Sequence, residues 1–305
     1  MRVLYLQQQP CVRALKYAAG LRAARPCWRL GFAYQGKTLS EWYGSGDELF
    51  ERWWDLGAEP ERALPAVLDE FRPAVVHSHN LPDSLTVLAG ELLDEIRRRY
   101  RVRGRTLVFA SYALRRDLPP TLDATTRRNG LPSRLVYQGT LSTNGGHYDL
   151  RDIFRALVAA GATLDVYPSR EAPPYRELAE ELSGLRYHDT VEPSALLRML
   201  PRYDFGWAGF NDGLNRAHLD TALPNKLFEY LGCGLPVLTL GHRALRRFVE
   251  ERGLGVALPA PRDLEAELAG LDVAGLRERV EAARYDFTVE ANIERVARLY
   301  EEVAG

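Results

Sequence analysis

The chain has 305 residues, of which 46% are apolar and 27% charged, and its 40 basic and 41 acidic side chains leave a formal charge of −1. That balance excludes a disordered or fibrous protein, and the length suits two domains of about 150 residues, each able to enclose a core without disulfide or metal staples. No uncharged stretch approaches the ~20 apolar residues of a membrane span, Met1-Arg2 runs straight into strand-like Val3-Leu6 with no secretory leader pattern, and Cys11, Cys27 and Cys233 lack metal-ligand spacing. The expectation is a reduced, cytoplasmic protein with no metal.

Strand-like and helix-like runs alternate from the start: Val3-Leu6, amphipathic Val12 to Ala24, Trp28-Tyr34, helical Pro60 to Phe71, Ala74-His79, helical Ser84 to Tyr100, and Thr106-Ser111. This is the rhythm of a parallel sheet with helices on its faces. Leu118 to Ser133, with Pro119-Pro120, Asn129-Gly130 and Pro132, breaks it and reads as a linker. The rhythm then restarts, with strands at Arg134-Tyr137, Thr163-Tyr167, Leu185-His188, Asp204-Trp207 and Pro236-Leu240. Helices fill the gaps at Leu150 to Ala160, Pro174 to Ser183, Ser194 to Leu200 and Asn225 to Leu231. The pattern predicts an α/β protein of two doubly wound, Rossmann-like domains, residues 1–130 and 131–305, facing a central cleft. Ligands in such sheets lie at the carboxyl ends of the strands. Charge divides the same way: residues 1–130 carry 20 basic and 15 acidic side chains, a net +5, and the remainder 20 and 26, a net −6.

Three motifs have competing readings. Gly31-Phe-Ala-Tyr-Gln-Gly36-Lys37-Thr38 matches the phosphate-loop pattern letter for letter, but Phe, Ala, Tyr and Gln are strand material and Gly44 and Gly46 would break the helix that must follow. His77-Ser78-His79 puts two imidazoles on one face of a strand. As a metal site it lacks a third ligand, leaving sugar or phosphate contacts at a strand end, or structural histidines. Arg97 to Arg105 holds six arginines in nine residues, suited to anionic head groups or to a solvated helix end; without interleaved aromatics it does not suit nucleic acid.

The most specific stretch is Ala222-Leu-Pro224-Asn225-Lys226-Leu227-Phe228-Glu229-Tyr230-Leu231-Gly232-Cys233-Gly234-Leu235-Pro236-Val237-Leu238. Pro224 suits the start of a helix, where free backbone amides attract anions. Lys226 lies in the first turn, one of only three lysines beside Lys16 and Lys37, and Glu229 follows at i+3 on the same face. A diphosphate held by Lys226 and the free amides of the helix start would leave Glu229 about one turn deeper, positioned to accept both ribose hydroxyls. The alternative is a surface ion pair worth ~0.3 kcal/mol.

Here the sequence resembles the GT-B glycosyltransferases, in particular the family 4-like group, whose donor site carries a Glu-x7-Glu pattern followed by small residues and Pro-Val. Glu229 matches the second glutamate, the ribose ligand, with Gly234-Leu235-Pro236-Val237 after it. Val75-Val76-His77-Ser78-His79-Asn80 looks like the family's first-domain strand ending in histidines, Tyr137-Gln138-Gly139-Thr140-Leu141 like its first second-domain strand and glycine turn, and Tyr187-His188-Asp189-Thr190-Val191 like the segment that holds the base. Tyr285-Asp286-Phe287-Thr288 and the helix after it resemble the closing segment that crosses back to the first domain. Departures are equally specific. Thr221 stands where the first glutamate would be, with Asp220 beside it; Thr140 and Gly145-Gly146-His147 replace an arginine and a lysine near the diphosphate; and the first domain is shortened.

The resemblance implies a transferase moving a sugar from a nucleoside-diphosphate donor, UDP- or GDP-linked, to a glycan, lipid-linked or small-molecule acceptor, with no tightly bound cofactor or metal. It implies donor contacts from Gly139, Thr140, Thr190, Val191, Asn225, Lys226, Leu227 and Glu229, and catalytic contacts from His79, Asn80 and Asp220. Arg13 and Lys16, on the first helix, are further candidates for acceptor or phosphate contact. Peripheral contact with an anionic membrane through Arg97 to Arg105 is a further expectation. Two other readings share the fold: a non-catalytic nucleotide-sugar-binding subunit and a nucleotide-sugar 2-epimerase.

Overall fold

A computed structural model of the chain describes residues 1–7, 10–36, 46–79, 107–120, 122 and 133–305. They form two compact units. One takes the described residues up to His79, residues 107–109 and Val289–Gly305; the other runs from Ala110 to Thr288. In chain order the first unit begins with β1 (Arg2–Gln7), α1 (Val12–Ala24), β2 (Arg29–Tyr34), β3 (Arg52–Asp55), α2 (Pro60–Phe71) and β4 (Val75–His79). The second contains β5 (Arg134–Gly139), α3 (Arg151–Ala159), β6 (Thr163–Pro168), α4 (Pro173–Glu181), β7 (Leu185–Tyr187), α5 (Pro193–Met199), β8 (Phe205–Trp207), α6 (Arg216–Leu219), α7 (Asn225–Gly232), β9 (Val237–Leu240), α8 (Arg243–Glu251), β10 (Gly255–Leu258), α9 (Leu264–Ala269) and α10 (Val273–Ala283). The last helix, α11 (Val289–Ala304), belongs to the first unit.

The first unit is built on a parallel sheet of order β3-β2-β1-β4. Val3, Leu4 and Tyr5 are fully buried, as a strand covered on both faces requires. α11 packs along α1 through buried Ile293, Val296 and Tyr300, and Arg25 fastens the pair by donating to both carboxylate oxygens of Glu294 at 2.9 and 2.8 Å and to Glu301 at 2.8 Å. The bidentate geometry makes this more specific than an ordinary surface pair. One expected strand fails here, and one unforeseen strand takes its place. Thr106-Ser111 is not a strand over its described residues: the Val108 carbonyl accepts from Arg295 at 3.2 Å and the Phe109 carbonyl from the Tyr17 hydroxyl at 3.1 Å, so side chains occupy acceptors that a ladder would use. The fourth strand is instead β3, where Trp53 stacks on Phe32 and Trp54 packs edge-on against Phe71.

The second unit holds a parallel sheet of order β10-β9-β8-β5-β6-β7. Successive residues of β5 feed two core layers, Leu135 and Tyr137 on one side and Val136 on the other. The proline-rich segment is not a free linker at its start: Leu118 is buried in this unit, and Arg284 donates to the Pro119 carbonyl. Among the described residues no helix is long and apolar enough to cross a membrane.

Candidate functional site

Strand order reverses between β8 and β5, where an open sheet leaves a crevice at its carboxyl end. β5 ends there at Gly139, whose φ of +126° a side chain would strain; an added Cβ would also lie 3.4 Å from Lys226 Nζ. Glycine therefore lets the chain turn and lets the lysine reach the turn. Thr140 follows, its carbonyl accepting from the Tyr137 hydroxyl at 2.5 Å and its hydroxyl 3.3 Å from that of Ser169.

α7 delivers the other half. Pro224 is its N-cap in extended conformation (φ −76°, ψ 154°), as the sequence predicts. The Leu227 amide bonds back to the Pro224 carbonyl at 3.1 Å, so Asn225 and Lys226 supply the amides the helix itself does not use. Tyr230 fixes the helix to the crevice: its hydroxyl accepts from the Gln138 amide at 3.1 Å and lies 3.3 Å from the carbonyls of Val136 and Trp207, one on each side of the strand reversal. Gly206 makes room for that ring, since a Cβ there would lie 2.4 Å from it.

Lys226 is 7% exposed, and its ammonium lies 3.7 Å from the centre of the Tyr137 ring. Its Nζ is buried with no hydrogen-bond partner among the described residues. Burial pushes its pKa down to about 7, against a smaller upward pull from Glu229. A desolvated cation over a ring gains roughly 2 kcal/mol, less than the several kcal/mol that removing an ammonium from water costs. An anion beside Nζ would offset that difference. Glu229, one turn along, accepts from Gln138 Nε2 at 2.6 Å, while Gln138 Oε1 is buried without a partner. This glutamine was missed in the sequence; a polar side chain next to last on a buried strand was the signal.

The loop after β5 is tied at several points. The Gly146 amide donates to Asn144 Oδ1 at 3.0 Å, the Gly145 amide to Asp149 Oδ2 at 3.0 Å, and Arg151 holds Asp149 at 2.9 and 2.8 Å. These ties present His147, whose ring packs on Tyr148 (4.0 Å) and Phe210 (6.1 Å) and whose carbonyl accepts from Asn211 at 3.2 Å. Burial first, then His218 and Lys226, lower the His147 pKa. Neither histidine was singled out as a site residue in the sequence.

The remaining candidates fall elsewhere. Thr190 and Val191 follow β7 at the same end of the sheet, and Val191 also lines a cavity of about 490 Å³ with Asp165, Tyr167, Arg186 and His188. No residue of α7 or of the Gly139 turn lines that cavity. Asp220 Oδ1 accepts from the Arg243 amide at 3.1 Å and so caps α8, while the Thr221 hydroxyl turns inward to the His218 carbonyl at 2.8 Å. In the first unit, Arg13 lies in the first turn of α1 and Lys16 is buried on that helix. His77 stacks on Tyr5 at 4.7 Å with Tyr17 and Tyr300 edge-on, and burial lowers its pKa to about 4. His79 ends β4; its side chain, Asn80, Lys37 and Arg97 to Arg105 lie outside the described residues. The middle of the phosphate-loop match is β2, a strand, through Tyr34. No group of three or more metal-ligating side chains occurs among the described residues.

No protein-family model matches the chain, and no curated protein matches it by sequence. Solved structures do. WaaG, a glycosyltransferase involved in lipopolysaccharide biosynthesis, matches with a TM-score of 0.71 at 13% identity over 98% of this chain and 99% of its own. AviGT4, a glycosyltransferase involved in avilamycin A biosynthesis, gives 0.63 at 14% identity, covering 100% and 98%. MnaA of S. aureus, solved with UDP, gives 0.62 at 11% identity, covering 99% and 97%. Two parallel sheets, the strand reversal in the second and these full-length matches give the chain the fold of the GT-B glycosyltransferases.

Proposed function

We propose that the protein is a family 4-like glycosyltransferase that takes a sugar from a nucleoside-diphosphate donor, UDP- or GDP-linked. The observation that carries this reading is Lys226: a buried amine with no hydrogen-bond partner among the described residues, beside the Gly139 turn and one helical turn from Glu229. In this reading Lys226 and the amides of Asn225 and Lys226 hold the diphosphate, and Glu229, oriented by Gln138, accepts the ribose hydroxyls. Gly139 and Thr140 border the diphosphate, and Thr190 and Val191 border the base. Fixed cations and amides then stabilise charge that develops on the leaving diphosphate, and exclusion of water strengthens them. A UDP-bound neighbour and two neighbours described as glycosyltransferases support the donor class.

His79, which ends β4, and the next residue in sequence, Asn80, are proposed to contact donor sugar or acceptor. The acceptor is proposed to be a glycan or lipid-linked, with peripheral membrane contact through Arg97 to Arg105. Release of nucleoside diphosphate from a panel of UDP- and GDP-sugars, with and without acceptor, tests the reading. Release by wild type and its loss in Glu229→Ala support it; binding without release favours a donor-binding subunit.

A further inference from the structure

At the β7 end of the second unit's sheet, one face is polar. Asp165 and Tyr167 of β6 alternate onto it beside Arg186 and His188, in and just after β7, while Leu164, Val166 and Leu185 fill the core on the other face. With α5 and the turn after it, these residues enclose the cavity of about 490 Å³, a size ordinary for a small-molecule site. Asp165, 6% exposed, is the anchor: it accepts from the Tyr203 hydroxyl at 2.6 Å and from Arg186 Nε at 2.5 Å, with His188 Nε2 3.5 Å away. The Tyr203 hydroxyl also lies 3.0 Å from that of Tyr167, and the His188 ring lies flat on the Tyr167 ring at 4.3 Å. This frame leaves cationic nitrogens over. Arg186 spends only Nε on Asp165, so Nη1 and Nη2 have no acceptor among the described residues. Arg202, in the turn after α5, is exposed and forms no ion pair or hydrogen bond among them. The other acid of the lining, Asp189, is engaged by Arg176 at 2.9 Å.

We propose that this cavity is a second ligand site, separate from the donor site, and that it takes a compact organic phosphate: a phosphate monoester carried on a sugar or a nucleoside. Two phosphate oxygens match the open fork of Arg186, and Arg202 supplies a second cation for the dianion. The organic body lies against His188, Val191 and Met199, all half-buried in the lining. A solvated ion pair at a sheet edge needs neither the buried Tyr203–Asp165 bond nor a cavity of this size. A metal cation does not suit it, because the Asp165 oxygens already accept from Tyr203 and Arg186. Bare phosphate would leave most of the volume to water. The cationic donors are also local, since residues 131–305 as a whole carry a net −6. Of the lining residues only Val191 is also given to the donor, and the site does not depend on the donor reading.

Calorimetric titration of the full chain with glucose 6-phosphate, AMP, inorganic phosphate and glucose tests this. At least one of the two esters should bind, more tightly than inorganic phosphate, and glucose should not; which ester binds tells a sugar body from a nucleoside. Arg202→Gln removes an exposed side chain with no partner among the described residues, and should weaken ester binding at least about tenfold, the scale of a charged hydrogen bond. Arg186→Lys keeps a charge beside Asp165 but loses the fork, and should weaken it too. Lys226→Ala, outside the cavity, should leave it unchanged. Failure of both esters to bind at millimolar concentration, binding equalled by inorganic phosphate or glucose, or binding unchanged in Arg202→Gln overturns the site. Loss of binding in Lys226→Ala overturns it as well, by placing the ester at the donor site. None of these outcomes depends on UDP or GDP binding, so the donor-site reading stands or falls separately.

Discussion

Lys226 Nζ sits 3.7 Å above the Tyr137 ring, between a strand end and a helix start, and no oxygen among the described residues receives its protons. This contact joins an expectation of the sequence, a lysine in the first turn of a helix, to a fact of the fold, a dry environment for it. The cost should appear in stability. Lys226→Met keeps the length of the chain and removes the buried charge, so the variant should be more stable at pH 7 by about 2 kcal/mol while losing diphosphate binding. The sign follows from the lowered pKa. The folded state gives up the lysine proton at about 7 and the unfolded state at the ordinary lysine value of 10.5, so stability rises with pH across that window. The advantage of Lys226→Met should therefore be largest below pH 7 and fade towards pH 10.5, which urea unfolding across that range would measure. A destabilised Met variant at pH 7 would mean the amine is paired.

Asp220 separates capping from catalysis. With its carboxylate on the Arg243 amide, Asp220→Ala should cost about 1 kcal/mol and Asp220→Asn much less, because both Asp and Asn accept a capping bond. A cap alone predicts near-normal donor turnover in the Asn variant. Turnover lost in a stably folded Asp220→Asn would give the charge a catalytic role.

The first unit should be acid-sensitive through His77. Its folded pKa of about 4 lies below the ordinary value of 6.5, so the neutral ring's contribution is complete above pH 6.5 and is lost as pH falls through 4. Melting temperature should drop across this window in wild type and drop less in His77→Phe. Equal slopes would show that the ring reaches water before it titrates.

How much of this was legible varies with how local the cause is. Pro224 at a helix start and Lys226 and Glu229 on one face follow from spacing alone, and α1 and α2 begin and end where periodicity predicts. The Tyr137 ring under Lys226 was not legible, because it depends on which face of β5 meets α7. β3 was missed for a related reason: Trp53 and Trp54 are both apolar and packed on opposite faces of an edge strand, with charged Arg52 and Asp55 at its ends, so no alternation marks it. Thr106-Ser111 has the reverse character, apolar in sequence yet with its acceptors used by Tyr17 and Arg295.

Membrane contact makes a separate prediction. Each arginine close to an anionic surface contributes ~1 kcal/mol, so three or four of those between Arg97 and Arg105 should give sedimentation with phosphatidylserine-containing vesicles that weakens as salt rises. Replacing Arg97, Arg98 and Arg99 by alanine should remove most of it. No sedimentation at low salt would favour a soluble acceptor.

The most direct test of the central claim is a thermal-shift panel of nucleoside diphosphates and their sugars on wild type, Lys226→Ala and Glu229→Ala. A ligand at 100 times its Kd should add ~2.7 kcal/mol to wild-type stability. The account predicts such a shift for at least one UDP or GDP ligand, weakened by more than about 1 kcal/mol in each variant, the scale of charged hydrogen bonds. A panel in which no nucleoside diphosphate shifts wild type, or in which both variants respond as wild type does, would contradict it.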